Sequence, residues 1–521
     1  MLLTLTNGEE YNLYGEAGQA YSLEIYLGTP KQQLSVIVDT GSTTLAVASY
    51  PRHDSDKYFH AVNSTSLHDS GKEVQAKYSQ GMWVGRLASD FIEFPSVQQV
   101  PKVRSDFAVI TNSHKFFMNG SGWQGLLGLA YLPVGAWGNE VIVGSWLDSL
   151  EHTIGKPVSF ALQLCGPQSP TNATHYGKFS MIVDDEKSQE KSSFHTPILH
   201  KRWYEVGVLG VNVVQIDSSS KNLSNKTKIE AIDFAPYSDD CQLLNAEKSI
   251  VDSGTTNIRL PDEIYRKVVG MIRKRAQSAN ILILDDFWYH GEAACWPELQ
   301  QWTLPWLEIY LLNADNDRSY FTLKIPPQNY MRVVSAHENS GGTVSQYCYK
   351  LGIEAGGKDT VLGYTAMEGF EVLFNRSGGW IGWNTSNCGP NALLEGPFYV
   401  TNSLASDCEL TKSDLDAAVS IKAAQWALLA ISIIAGAVLI YLLAPCLKYE
   451  LITGDEKWIT YDKSVRKRSW SKAGFTDSGE MTTASPCCGL TRNKVMLCVC
   501  WDWKGIIQYE VLPPGRTIEP F

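Results

Sequence analysis

Basic charge is scarce in this chain of 521 residues: 44 Lys and Arg stand against 55 Asp and Glu, for a net charge of −11. That balance excludes a general nucleic-acid binder, which needs surplus positive charge for phosphates. Closely paired cysteines are missing from the first 410 residues. Cys165, Cys241, Cys295, Cys348, Cys388 and Cys408 stand singly, with no C-x-x-C, which excludes the usual structural zinc site. Their even number and wide spacing fit disulfides in an oxidising compartment, with fifteen pairings open on arithmetic alone. The opening MLLTLTNGEEYNLYG lacks a basic stretch followed by an apolar run and a small-residue cleavage site, so the chain reads as truncated at its start. Charge is absent altogether from residues 423–447, AAQWALLAISIIAGAVLIYLLAPCL. That segment is long enough to cross a bilayer as one helix, and it has no polar face of the kind a buried core helix keeps.

Lys448, Lys457, Lys463, Arg466, Lys467 and Arg468 follow that segment, whereas Lys412 and Lys422 precede it among several acids. The basic excess puts the C-terminal side in the cytosol and residues 1–422 in the lumen or outside the cell. N-x-S/T sequons at Asn63, Asn119, Asn172, Asn222, Asn225, Asn375 and Asn384 agree with that side. The expected topology is therefore a single-pass type I membrane protein of the Golgi, endosome or cell surface.

What is present in the lumenal part is β-forming. YSLEIYLGTP, LSVIVDTG, KYSQGMWVGRLASDFIEF and FEVLFNRSGGWIGW are short runs of β-branched and aromatic residues separated by Gly, Pro and Asn. One helix is expected over 261–278, PDEIYRKVVGMIRKRAQS, with Pro and two acids at its start and basic residues late. A phrase is then written twice: VIVDTGSTT at residues 36–44 and SIVDSGTTN at 249–257. QGLLGLAY follows the first and DTVLGYTA the second, so each half holds a strand ending in D-[ST]-G and, later, an apolar pair before Gly128 or Gly363. Two β-lobes of one plan are expected, over 11–200 and 201–410, with a polar connection near 184–200 and a juxtamembrane stalk at 411–422.

The doubled phrase carries chemistry. Apolar residues bury the approach strand, Gly41 and Gly254 permit a tight turn with N–H donors, and the hydroxyls of Ser42 and Thr255 can orient the aspartates. If a pseudo-twofold axis relates the lobes, Asp39 and Asp252 meet on it. Two carboxylates that close share one proton, so one serves as base for a water and the other as acid for a carbonyl oxygen. Either phrase alone is better explained as a turn or a helix cap; the pair, each with its later apolar-apolar-Gly, is not.

On these residues the chain resembles the pepsin-like aspartic proteases over about residues 11–410. The resemblance implies an all-β dominated, bilobal fold, followed here by a single C-terminal transmembrane helix, and no cofactor or metal. It implies that KYSQGMWVG (77–85) is a flap, with Tyr78 its tyrosine and Trp83 the tyrosine's hydrogen-bonding partner. Thr40 and Ser253 are to brace the two loops across the axis, with Ser42 and Thr255 bonding the aspartates. HKFFMNGSGWQGLLGLAY (114–131), VDSGTTNIRLP (251–261), EAACW (292–296), EGPFYV (395–400) and Ala46 narrow the resemblance to the membrane-anchored β-secretases. That narrower likeness implies the pairings Cys165–Cys388, Cys241–Cys408 and Cys295–Cys348, and substrate contacts from Thr256, Asn257 and Arg259. Arg259 is expected on the S2 side of the cleft, favouring acidic or polar substrate side chains. Phe321 stands where a basic cleft residue is expected. The implied substrates are peptides or membrane-protein ectodomains.

Residues 453–521 read differently. TGDEKW resembles the first catalytic block of mariner-type transposases, with Asp455 at the acidic position. The upstream DNA-binding helices and the later acids have no counterpart, so no functional nucleic-acid binding is expected, and the strands VMLCVCW and IIQYEVL are expected to be poorly ordered. Of the functions compatible with the whole sequence, a working aspartic endopeptidase is favoured over a catalytically silent peptide-binding relative, because both aspartates and Tyr78 are present.

Overall fold

The structure is a computed structural model, and it describes residues 11–15, 20–51, 57–78, 81–98, 100–117, 121–131, 143–169, 172–182, 192–215, 239–338, 344–410, 428–429, 431–437, 453–460, 494–502 and 505–513. The chain divides into two units, Met1–Asp416 and Ala417–Phe521.

The first unit is built on sheets. A 13-stranded sheet runs through the N-terminal half and continues into the C-terminal half, where Phe370–Asn375 pairs with Ser159–Ser169. Phe194–Pro197, just ahead of the expected lobe boundary at residue 200, pairs with Trp380–Thr385. Residues 184–191 of the expected connection lie outside the described residues. The C-terminal half adds two four-stranded sheets and one of three strands.

The repeat in the sequence is a repeat in the ladder. Gln32–Asp39 runs parallel to Gly125–Gly128, with Val36 opposite Gly125 and Asp39 opposite Gly128. Ser249–Asp252 runs parallel to Thr360–Gly363 in the same way, with Asp252 opposite Gly363. A further strand pairs antiparallel with each second member: Leu45–Ala48 in one half and Ile258–Leu260 in the other. Val36, Ile37, Val38, Ile250 and Val251 are all buried. Burying side chains of this size contributes roughly 1.5–3 kcal/mol each, so the apolar run ahead of each aspartate anchors its strand in a core.

The expected helix forms as Asp262–Ser278, with Asp262 and Glu263 in its first turn and Arg275 in its last. Those charges complement the ends of the helix dipole. Ile264, Tyr265, Val268, Val269, Ile272 and Ala276 form its buried stripe. Three disulfides close the unit, Cys165–Cys388, Cys241–Cys408 and Cys295–Cys348, the pairing that the resemblance implied.

Two sequence expectations meet limits or corrections here. Of the uncharged segment 423–447, residues 428–429 and 431–437 are helical and the rest lies outside the described residues. No helix among the described residues is long and apolar enough to cross a membrane. The tail strands, expected to lack order, pair instead: Thr453–Thr460, Lys494–Asp502 and Gly505–Leu512 form a three-stranded antiparallel sheet. Lys494–Asp502 is paired on both sides, so its backbone groups are satisfied without the remainder of a larger sheet.

Candidate active site

The parallel ladders bring Asp39 and Asp252 to the ends of equivalent strands, where they are 5% and 8% exposed. Each carboxylate is held from its own loop in one pattern. Gly41 N donates to Asp39 Oδ1 at 2.8 Å and Ser42 Oγ donates to Oδ2. Gly254 N donates to Asp252 Oδ1 at 2.9 Å and Thr255 Oγ1 donates to Oδ2 at 2.7 Å.

The glycines have a reason beyond turn geometry. A Cβ on Gly41 would lie 2.6 Å from Asp252 Cγ and from both its oxygens, and one on Gly254 would lie 2.3 Å from Asp39 Oδ1. Each D-[ST]-G glycine is therefore small for the sake of the opposite lobe's aspartate. The residues between tie the loops together. Thr40 N donates to Ser253 Oγ at 3.1 Å and Ser253 N to Thr40 Oγ1 at 2.9 Å. Thr40 Oγ1 reaches Val251 O at 2.9 Å and Ser253 Oγ reaches Val38 O at 2.7 Å. All four bonds are buried, so this reciprocal brace fixes how far apart the carboxylates stand.

Burial, and next the charge of Asp252, push the Asp39 carboxyl well above the usual carboxylate range; Ser42 and the Gly41 amide oppose the shift. A carboxyl whose proton is held more tightly than usual beside a second carboxylate is the electrostatic condition for paired acid and base work.

The segment expected as a flap forms the hairpin His68–Tyr78 and Gly81–Glu93, whose tip residues 79–80 lie outside the described residues. Trp83 Nε1 donates to Tyr78 Oη at 3.2 Å. Burial raises the Tyr78 phenol, with the charge of Asp39 adding to it, while Trp83 and Ser42 pull the other way. The phenol thus lies within electrostatic reach of the dyad. Phe116 stacks on Tyr78 at 5.4 Å, and Phe117 and Trp123 pack behind it. The only sequence sign of this aromatic support was the quoted block that contains it. Gly81, with φ of 126°, sits against Lys115 O at a distance no Cβ tolerates.

Other expected contacts are partly engaged within the protein. Thr256 O accepts from Thr365 N at 3.1 Å. Asn257 Nδ2 donates to Glu354 at 2.9 Å, and its Oδ1 accepts from Arg332 at 3.2 Å. Arg259 Nε lies 2.9 Å from Glu354 Oε1. The guanidinium expected to await an acidic substrate is already matched by a carboxylate that sequence reasoning did not find.

Phe321 requires correction. It is fully buried and stacks on Phe194 at 5.0 Å, so it lines no open cleft. The basic residue of its strand, Lys324, is buried too, between Glu308 at 3.3 Å and Glu395. Asn375 also departs from expectation. It is 2% exposed, and its Oδ1 accepts from Ser377 Oγ and Gly378 N, so the folded chain leaves no room for a glycan there. Asn63 is exposed and Asn384 half-buried, while Asn119, Asn222 and Asn225 lie outside the described residues. Asn172 opens the strand Asn172–Ile182.

A second unforeseen group lies where the halves meet. Tyr21 Oη donates to Glu368 Oε1 at 2.7 Å and accepts from Gly166 N at 2.8 Å, with His175 Nδ1 3.7 Å from the same carboxylate oxygen. Burial raises the Glu368 carboxyl to about 7, against bonds from Tyr21 and the charge of Arg332. Burial, then Arg332, lowers His175 to about 3. Tyr21 O also accepts from Val38 N at 3.0 Å, which ties this group to the strand of Asp39.

Comparison with known proteins agrees with this geometry. Residues 20–385 match the family model described as eukaryotic aspartyl protease. The chain is 29% identical over 445 residues to the "Beta-secretase" of Strongylocentrotus purpuratus, covering 80% of this chain and 77% of that protein. It is 27% identical over 221 residues to "Vacuolar protease A" of Aspergillus fumigatus, covering 41% of this chain and 53% of that protein. Residues 460–520 match a model described as transposase (partial DDE domain). There the chain is 39% identical over 70 residues to the "Mariner Mos1 transposase" of Drosophila mauritiana, covering 13% of this chain and 19% of the transposase.

Proposed function

The chain belongs to the eukaryotic aspartyl protease family, and on that premise we propose that it is an active, membrane-anchored endopeptidase of β-secretase type that cleaves peptides and the ectodomains of membrane proteins. The observation that carries this reading is the pair Asp39 and Asp252, each held by its own amide and hydroxyl and each packed against the other's loop.

The chemistry follows from where the proton rests. Asp39 holds it, because burial and Asp252 raise its carboxyl. A water between the carboxylates loses a proton to Asp252 as its oxygen bonds to the scissile carbonyl carbon, and Asp39 protonates the carbonyl oxygen. The resulting gem-diol collapses as the C–N bond breaks. The nitrogen takes the proton from Asp252, and a diol hydroxyl returns one to Asp39. The brace of Thr40 and Ser253 holds both groups at the spacing this exchange needs. Tyr78, steadied by Trp83 and Phe116, covers the substrate from the flap side and limits entry of bulk water.

Two features support the setting. Three disulfides suit a secretory or extracellular compartment, where glycans on exposed sequons such as Asn63 are expected. Residues 423–447 are assigned as the anchor. Leu428, Leu429, Ile431, Ile433 and Ile434 of that segment are all at least half exposed, an apolar surface that suits lipid.

The test is to incubate the full chain, purified in detergent micelles, with a peptide library between pH 4 and 7 and to sequence the products. Internal cleavage is expected. Peptide capture without cleavage would replace this reading with that of a silent binding relative.

A further inference from the structure

Arg259 lies on the strand Ile258–Leu260 that follows the loop of Asp252, and its surroundings decide what its charge does. Its strand neighbours Ile258 and Leu260 are buried, whereas the Arg259 side chain keeps 25% exposure. In the parallel ladder Arg259 is the direct partner of Glu354. One carboxylate oxygen of Glu354 lies 2.9 Å from Arg259 Nε, and the other accepts from Asn257 Nδ2 at 2.9 Å.

Asn257 is itself fixed. Its Oδ1 accepts from Arg332 Nη1 at 3.2 Å, and Arg332 Nη2 donates to Tyr364 Oη at 2.7 Å. Tyr364 N donates in turn to Thr255 O at 2.9 Å. Glu354 thus forms an ion pair with Arg259 through one oxygen and is hydrogen-bonded through the other to a frame continuous with the loop that carries Asp252.

We propose that the partly exposed pair of Arg259 and Glu354, on the strand that leaves the loop of Asp252 and its parallel neighbour, lines a substrate subsite, and that Glu354 is its specificity-determining residue: by neutralising Arg259 it turns that subsite away from acidic substrate side chains and toward neutral hydrogen-bonding ones. The proposal rests on the endopeptidase reading and sharpens it. A carboxylate entering this subsite meets a positive and a negative group at similar range, so it loses hydration for little net attraction. An amide or hydroxyl can instead accept from the guanidinium and donate to Glu354, satisfying both. The pair is built from the backbone register, so it persists without substrate.

The test uses the full chain in detergent micelles at pH 6, where a substrate Glu is ionised. Hydroxyethylene peptide isosteres that differ only by Glu or Gln at successive positions before the scissile link are titrated. The matching cleavable peptides are assayed by kcat/KM. Wild type is expected to take the Gln form at least as well as the Glu form at every position. Glu354→Gln should raise the Glu-to-Gln ratio about tenfold at one position, equivalent to about 1.4 kcal/mol, and adding Arg259→Gln should cancel that gain. Glu354→Ser provides the same reading should the Gln variant fail to fold.

A wild type that prefers Glu tenfold, a ratio unmoved by either substitution, or binding of neither isostere would overturn the proposal. Isostere ratios that shift as expected while no peptide is cleaved would leave this assignment standing and overturn the endopeptidase reading alone.

Discussion

Glu368→Gln is expected to change how the stability of the folded lumenal unit depends on pH, by about 3 kcal/mol between pH 4 and pH 8. Glu368 is 4% exposed and accepts from Tyr21 Oη. Its carboxyl rises from 4.5 to about 7 on folding because burial disfavours the charged form. A raised acid makes a stabilising contribution that is complete below its unfolded value, near pH 4.5, declines above that, and is gone once the pH has passed about 7. At 1.36 kcal/mol per unit the full swing is about 3 kcal/mol. His175 works in the opposite sense: its folded value falls from 6.5 to about 3, so its contribution is complete above 6.5 and shrinks as the pH drops. The two slopes nearly cancel between pH 4.5 and 6.5 in the wild type. Gln keeps the size of the side chain and an oxygen for Tyr21, and it removes only the titration. Equilibrium urea unfolding of residues 11–410 with bridges intact, at one-unit steps from pH 4 to 8, reads the difference between variant and wild type, in which other groups cancel. The variant should gain steadily on the wild type as pH rises. Parallel curves would refute the assignment of the buried proton to Glu368.

Gly41→Ala should abolish activity while leaving secretion largely intact, because its Cβ would lie 2.6 Å from the Asp252 carboxylate; near-normal kcat would show that the loops stand farther apart. Ser253→Ala leaves the buried Thr40 amide without its acceptor and should cost about 1–3 kcal/mol in urea unfolding, with kcat falling more than KM rises. Deleting residues 453–521 should leave peptidase activity and membrane anchoring unchanged. Two-metal strand transfer needs several acids from separate segments. Metal-dependent strand cleavage by the purified tail, lost in Asp455→Ala, would contradict that.

The dyad and its glycines were legible because each is written locally, within a few residues of an aspartate, and written twice, whereas the brace of Thr40 and Ser253 came only through family resemblance. The cysteine pairing was legible only through family resemblance, since spacing alone left fifteen solutions. Glu354, Arg332 and the group around Glu368 were not legible. Arg332 reaches Asn257 across 75 residues of chain, and Tyr21 reaches Glu368 across 347. No periodicity or short motif announces contacts set by sheet topology. Phe321 misled because resemblance assigned a position to the cleft, whereas strand alternation sends its ring to Phe194 in the core. Asn375 misled because a sequon reports a tripeptide and not its burial. Order in the tail was missed because pairing between neighbouring strands was weighed less than the absent remainder of a larger fold.

The central claim is that one shared proton on the Asp39–Asp252 pair does the chemistry. The measurement that tests it most directly is kcat/KM for a single cleaved peptide, determined for wild type, Asp39→Asn and Asp252→Asn from pH 3 to pH 8. Positioned acid–base catalysis contributes roughly 10²–10⁴-fold. The account predicts an acidic optimum in the wild type and a loss of at least about 10²-fold in each variant at every pH, with unfolding midpoints close to wild type. Either variant retaining activity within tenfold of the wild type, or a wild-type profile without an acidic optimum, would contradict it.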